Sequence, residues 1–180
     1  MKFVPLPLEG AFEVFFEPIE DSRGHFARVY DRDAFAKAGL PTDWVQGNES
    51  RSGKNVVRGL HFQRPPFAET KFIRAVIGTV FDVMVDLRAG SATYGKWCAV
   101  ELSAAKCNAV VIPKRFAHGF CVVSDEAVLN YLVDGAYAPA AEGGVTWKDP
   151  DLNITWPVRD NALLSDRDKS LPLFRATDPL

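Results

Sequence analysis

The run from Val80 to Arg88, VFDVMVDLR, alternates in type: Phe81, Val83, Val85 and Leu87 fall on one face, and Asp82, Asp86 and Arg88 on the other. A period of two is the mark of a β-strand, and this pattern predicts a half-buried one. Shorter segments of the same character follow at Trp97 to Leu102, Ala109 to Ile112, Gly119 to Val123 and Val128 to Val133. Turn-forming clusters such as Arg88-Ala89-Gly90-Ser91 and Ser124-Asp125-Glu126 separate them. Helical signal is sparse. The best case is Asp33 to Lys37, with aspartates ahead of it, Gly39 to stop it and Pro41 beyond. Many short strands at this spacing predict an all-β, antiparallel sandwich or barrel, with jelly rolls among the options. The pattern does not choose between them.

Composition bounds this picture. The chain has 180 residues, 47% hydrophobic and 24% charged, which suits one globular domain over residues 1–180 with a real core. No repeat, low-complexity segment or linker divides it. The net charge is -2, and no basic block points to nucleic acid. No apolar run approaches a membrane span, and prolines and acids interrupt the N-terminus, MKFVPLPLEGAFEV, where a signal peptide needs an apolar stretch. Cys98, Cys107 and Cys121 are odd in number and lack CxxC spacing. Reduced thiols in the cytoplasm are therefore expected, rather than disulfides or a zinc site.

Candidate chemistry gathers around two of the three histidines. In Arg58 to Pro66, RGLHFQRPP, strand alternation puts His61 and Gln63 on one face and Leu60 and Phe62 on the other. Arg58 falls on the Leu60 face unless a bulge at Gly59 re-aims it. His118 lies in Ile112 to Phe120, IPKRFAHGF. A jelly roll with one histidine on each of two strands is similar to the cupins, in which His61, Glu69 and His118 would suffice for iron. Against a metal, Gln63 stands where a cupin has its second histidine, and Lys71 and Arg74 bring positive charge close to Glu69. Ser165-x-x-Asp168 reads as a helix capping box.

A wider resemblance covers nearly the whole chain. RGLHFQRPP, the Glu69 to Arg74 run, GTVFDVMVDLRAGSATYGKW, IPKRFAHGF, EGGVTWKDPDLNITWP and LLSDRDKSLP occur in one order between about Phe16 and Pro172. Together they resemble the dTDP-4-dehydrorhamnose 3,5-epimerases. The resemblance implies a cupin-like jelly roll, a homodimer that could share N-terminal strands, chemistry without metal or other cofactor, and a dTDP-linked 4-keto sugar as substrate. It also implies roles. His61 matches the base, and an imidazole of ordinary pKa ~6.5 suits proton abstraction near neutrality. Asp168 matches the carboxylate that orients it, Lys71 the cation beside the C4 oxygen, and Tyr131 the acid on the opposite face.

Arg23 and Arg58 match diphosphate positions. Gln46 and Asn48 match residues that hydrogen-bond the ligand, and Tyr137 an aromatic that stacks on thymine. Phe26, His118, Glu142 and Arg167 also fall at ligand-contacting positions. The chain departs from the family at four places. Arg28 stands near the ligand where a Glu is common, and Arg115 replaces a glycine, which implies a changed turn if that glycine used φ > 0. Leu132 replaces a Lys, and Ala136 the first of a Tyr-Tyr pair. Besides double epimerisation, three readings stay open: a single-centre epimerase, a metal-dependent cupin enzyme, and a non-catalytic sugar-nucleotide-binding module.

Overall fold

Thirteen strands and two short α-helices make up the protein, in a computed structural model that describes residues 1–180. In chain order these are β1 (Lys2–Pro5), β2 (Phe12–Phe15), β3 (Ile19–Asp21), β4 (Gly24–Phe26), α1 (Arg32–Lys37), β5 (Gln46–Gly53), β6 (Val57–Gln63) and β7 (Lys71–Ile77). There follow β8 (Thr79–Asp86), β9 (Trp97–Ser103), β10 (Asn108–Ile112), β11 (Phe116–Val122), β12 (Glu126–Val133), β13 (Glu142–Gly144) and α2 (Asp166–Lys169). A six-stranded sheet, ordered β1-β2-β10-β7-β12-β5, faces a five-stranded one, ordered β13-β6-β11-β8-β9. Strands β3 and β4 form a separate hairpin. The ladders are antiparallel, and the architecture is a cupin-like jelly roll.

The core explains the strand pattern. Ile73, Val110, Ile112 and Leu129 of the larger sheet meet Val80, Met84, Leu102, Phe120 and Val122 of the smaller one. The outer face of the smaller sheet is covered by the C-terminal segment through Val145, Trp147, Leu152, Trp156 and Val158. The outer face of the larger sheet is covered by α1, whose Phe35 packs on Val14, Phe72 and Val111. That helix is capped as its sequence predicts: the Asp31 carboxylate accepts from the Ala34 N–H at 3.0 Å, and Gly39 has φ +71°. No helix is long and apolar enough to cross a membrane.

One strand differs from its expected exposure. Strand β8 lies inside the smaller sheet, between β11 and β9, and is buried on both faces, with Asp82 and Asp86 each 0% exposed. Partners offset the cost of burying these acids. Asp86 accepts from the Arg88 guanidinium at 2.8 Å and from the Ser91 and Thr93 hydroxyls at 2.6 Å each. Burial works to raise this carboxyl, but those donors outweigh it and hold it well below the usual carboxylate range. At the turn before β11, Arg115 itself adopts φ +65°, a left-handed conformation taken here without glycine.

Candidate active site

Between the two sheets lies a pocket of about 510 Å³. Strand β6 supplies its first wall. Opposite β11, His61 pairs with His118 and Arg58 with Phe120, so three steps on β6 match two on β11. That extra residue is a β-bulge, and it turns Arg58 to the pocket beside His61 while Val57, Leu60 and Phe62 pack into the core. Gly59 sits in the bulge with φ +116°, and a Cβ there would lie 2.6 Å from the Gly119 Cα. Only glycine fits.

Asp168, 107 residues further along the chain, lies behind His61, with Oδ1 2.5 Å from the imidazole Nε2. The ionised carboxylate accepts from Nε2–H, which leaves Nδ1 as the basic nitrogen of the neutral ring. Burial works to raise the Asp168 carboxyl. The hydrogen bond and charge of His61, the Gly59 N–H and Ser165 together outweigh that and hold it low. Both roles suggested by Ser165-x-x-Asp168 coexist. Ser165 Oγ caps α2 by accepting the Asp168 N–H at 3.1 Å, while the Asp168 side chain turns to His61.

The facing sheet supplies the second wall. Lys71 and Ile73 on β7 and Leu129 and Tyr131 on β12 line the pocket. Burial, with Glu69 adding to it and Arg58 opposing, raises the Tyr131 phenol above its ordinary value. It therefore stays protonated and able to donate near neutrality. Lys71 pairs with Glu69 at 3.4 Å, and both side chains are sheltered, 14% and 13% exposed. Gln63 fixes that pair: its amide donates to Glu69 at 3.0 Å and to the Phe67 and Ala136 carbonyls, and its oxygen accepts the Ala138 N–H at 2.7 Å.

His118 lies at the pocket, with Nε2 2.9 Å from the fully buried Asp82 carboxylate. Arg167 lines the pocket and bonds to Glu142 at 2.8 Å, and Glu142 accepts from the Tyr137 hydroxyl at 3.0 Å. Gln46 joins this mouth by accepting the Tyr137 N–H at 2.6 Å. Asn48 lies opposite Tyr131 in the β5–β12 ladder, on the same inner face.

Arg23, Phe26 and Arg28 are not brought to this pocket. Arg23 bonds to Asp21 on the exposed hairpin, Phe26 is 67% exposed, and Arg28 pairs with Asp31 at 3.2 Å. Leu132 points away from the site and packs in the cluster of Phe35 and Phe72. Two serines escaped the sequence reading, Ser50 in the pocket lining and Ser52, which accepts from Arg58 Nε at 3.0 Å. The signal was present, because Gln46, Asn48, Ser50 and Ser52 alternate along β5 with exposed residues between them.

This arrangement suits proton transfer across a bound carbon atom. A base is held by a carboxylate on one sheet, and a neutral phenol and a cation stand on the other. Of the cations in the lining, Lys71 is paired with Glu69 and Arg167 with Glu142, which leaves Arg58, bonded only to the Ser52 hydroxyl and the Arg51 carbonyl, as the one positive charge without a carboxylate partner and able to meet an anionic group. The geometry offers the metal reading no ligand set. His61, Glu69 and His118 are bound to Asp168, Lys71 and Asp82 respectively, and no three such side chains converge as ligands. No cysteine lines the pocket, and burial pushes the Cys98 and Cys121 thiols up to about 11.

Residues 5–176 match the family model described as dTDP-4-dehydrorhamnose 3,5-epimerase. The dTDP-4-dehydrorhamnose 3,5-epimerase of Shigella flexneri is 47% identical over 156 residues, 85% of this chain and 86% of the relative. The dTDP-4-dehydrorhamnose 3-epimerase of Streptomyces niveus is 46% identical over 180 residues, 99% of this chain and 86% of the relative. The crystal structure of the 3,5-epimerase from Elizabethkingia anophelis superposes with a TM-score of 0.95 at 38% identity, covering 99% of this chain and 98% of that one.

Proposed function

The chain belongs to the dTDP-4-dehydrorhamnose 3,5-epimerase family, and from that premise we propose that it inverts C3 and C5 of a dTDP-linked 4-keto-6-deoxyhexose. The observation that carries this reading is the placement of His61, backed by Asp168 at 2.5 Å, on one sheet and of Tyr131 and Lys71 on the other, all lining one pocket.

A ketone at C4 acidifies the protons on C3 and C5 and is itself the electron sink, so the chemistry requires no cofactor. In a gluco-configured precursor those two hydrogens are axial on the same face of the ring. One base can therefore reach both. His61 Nδ1 takes the proton, and Asp168 stabilises the imidazolium that forms. Negative charge develops on the C4 oxygen, where the Lys71 ammonium stabilises it; losing such a donor typically costs on the order of 10²–10³ in rate. Tyr131 then delivers a proton to the opposite face, and the centre is inverted. Solvent recharges the phenol and takes the proton back from the imidazolium.

The exposed hairpin supports a homodimer. Ile19 and Phe26 are 72% and 67% exposed, and Arg23 stands with them away from the pocket of its own chain. In this reading the hairpin carries Arg23 and Phe26, with Arg28 just beyond it, to the partner's pocket to complete the nucleotide site. Tyr137 stacks on thymine at the mouth, where its hydroxyl is anchored by Glu142. Three free cysteines fit a reducing compartment, and the cytoplasm is the proposed location.

A second reading, inversion at a single centre, is favoured by the likeness to a relative named as a 3-epimerase over 99% of this chain. The test is incubation with dTDP-4-keto-6-deoxyglucose in D₂O, with deuterium followed by NMR. Uptake at both C3 and C5 with inversion supports the first reading, and at one centre the second. No uptake at either centre overturns both.

A further inference from the structure

Lys71 and Tyr131 are diagonal neighbours on the inner face of the larger sheet, because Lys71 lies opposite Val133 and Ile73 opposite Tyr131. That offset separates two residues by roughly 7 Å, within reach of long and aromatic side chains. A positive charge so placed favours phenolate and works against a tyrosine that must keep its proton. Arg58, on the facing sheet, works in the same direction. An acid between two cations needs a counter-charge.

Glu69 is the carboxylate placed to supply one. It stands just ahead of β7, with Oε1 3.4 Å from Lys71 Nζ, and its other oxygen accepts from the Gln63 amide at 3.0 Å. The chain on either side is fixed as well. The Thr70 N–H donates to Asp134 at 2.7 Å, and Gly135 leaves so little room that a Cβ there would lie 3.0 Å from the Glu69 Cβ. Glu69 is sheltered from water yet outside the pocket lining, so it does not meet the ligand.

The other charged groups around the phenol are engaged elsewhere. His61 is bound to Asp168, His118 to Asp82, and Arg167 to Glu142. Glu49 and Arg74 lie opposite Asn130, on the outer face of the sheet. Burial raises the Tyr131 phenol, Arg58 draws it down, and Glu69 pushes it back up.

We propose that Glu69 is a positioning residue for the acid step: held by Gln63, its carboxylate offsets the Lys71 charge so that Tyr131 retains the proton it delivers. This deepens the epimerase reading and rests on it for the role of Tyr131.

The test is the titration of Tyr131 itself, followed by NMR in protein carrying carbon-13 at tyrosine Cζ. The Tyr131→Phe spectrum identifies its signal among the four tyrosines. Glu69→Gln keeps the shape and can still accept from Gln63, and a melting curve verifies its fold. Removing the negative charge should lower the pH at which Tyr131 titrates by about one unit. The alkaline limb of kcat for inversion should move down with it, and Glu69→Asp, which retains the charge, should restore both. Lys71→Gln reads the same coupling from the other side, should raise the Tyr131 titration, and serves where Glu69→Gln does not fold. A titration in Glu69→Gln within about 0.3 unit of wild type overturns the proposal, even where kcat falls, since Glu69 would then only hold Lys71 in place. An unmoved titration in Lys71→Gln overturns it too. The titration is read on the free protein: a wild type without inversion refutes the epimerase reading, while the Tyr131 signal still decides the Glu69 assignment.

Discussion

Arg58 and His61, three positions apart on one strand, face the same pocket because β6 carries one more residue than β11 between them. A regular strand would have sent Arg58 to the core side. The bulge depends on Gly59, where φ is +116° and a Cβ would fall 2.7 Å from the His118 carbonyl oxygen. Gly59→Ala should therefore destabilise the protein by about 3 kcal/mol or more, through a backbone clash combined with an unfavourable φ. Urea unfolding measures it. A loss under about 1 kcal/mol would mean that the strand can shift to accept a side chain.

Asp168→Asn keeps the shape of the side chain and removes the charge that orients and stabilises His61. An amide can also donate to Nε2, which favours the tautomer with its proton on Nδ1. The fold should persist, and kcat should fall by about 10²-fold or more, as when an orienting carboxylate is made neutral. Steady-state kinetics with a parallel melting curve would separate this from unfolding. Unchanged kcat would remove Asp168 from the mechanism.

Two of the buried carboxylates, Asp86 and Asp168, are held below the ordinary value of 3.8 by their partners. For a lowered carboxyl, the stabilising contribution is present above the unfolded value and is lost as pH falls through the folded one. Stability should therefore decline below about pH 4. Asp86→Asn should cost about 3 kcal/mol at pH 7, as expected for breaking a buried ion pair, and should flatten the decline in acid. Urea titrations at pH 7 and pH 3 test this. Parallel acid slopes for the variant and the wild type would contradict it.

Arg115 holds φ +65° as an exposed, non-glycine residue. The left-handed region is costly for side chains with a Cβ, and glycine enters it freely. Arg115→Gly should stabilise the protein by up to about 1 kcal/mol, offset in part by greater freedom of the unfolded chain. A rise in Tm is the expected sign, and a fall would show that the Arg115 side chain contributes more than its backbone costs.

Much of the fold was legible in the sequence because period-two alternation tracks burial wherever one face of a strand meets water. Strand β12 and helix α1 form where their patterns predict, although β12 is buried on both faces from Ala127 to Leu129. Strand β8 does not, because Asp82 and Asp86 read as a solvent face yet find partners inside, His118 for one oxygen of Asp82 and Arg88, Ser91 and Thr93 for Asp86. The bulge at Gly59 was visible as a possibility and settled only by the register against β11. The pairing of His61 with Asp168 spans 107 residues, and no local spacing encodes it; family likeness alone pointed there. Ser50 was legible as one of four alternating polar residues on β5, but nothing in the sequence marks its hydroxyl as unpartnered. That depends on packing.

The central claim is that His61 and Tyr131 act from opposite walls of one pocket as base and acid. Deuterium uptake from D₂O tests it most directly, measured at C3 and C5 of dTDP-4-keto-6-deoxyglucose for His61→Ala and Tyr131→Phe. With the base removed, His61→Ala should show neither exchange nor inversion. With the base intact and the opposing acid gone, Tyr131→Phe should still exchange deuterium into the starting sugar while inversion collapses. Inversion at the wild-type rate in either variant would contradict the assignment.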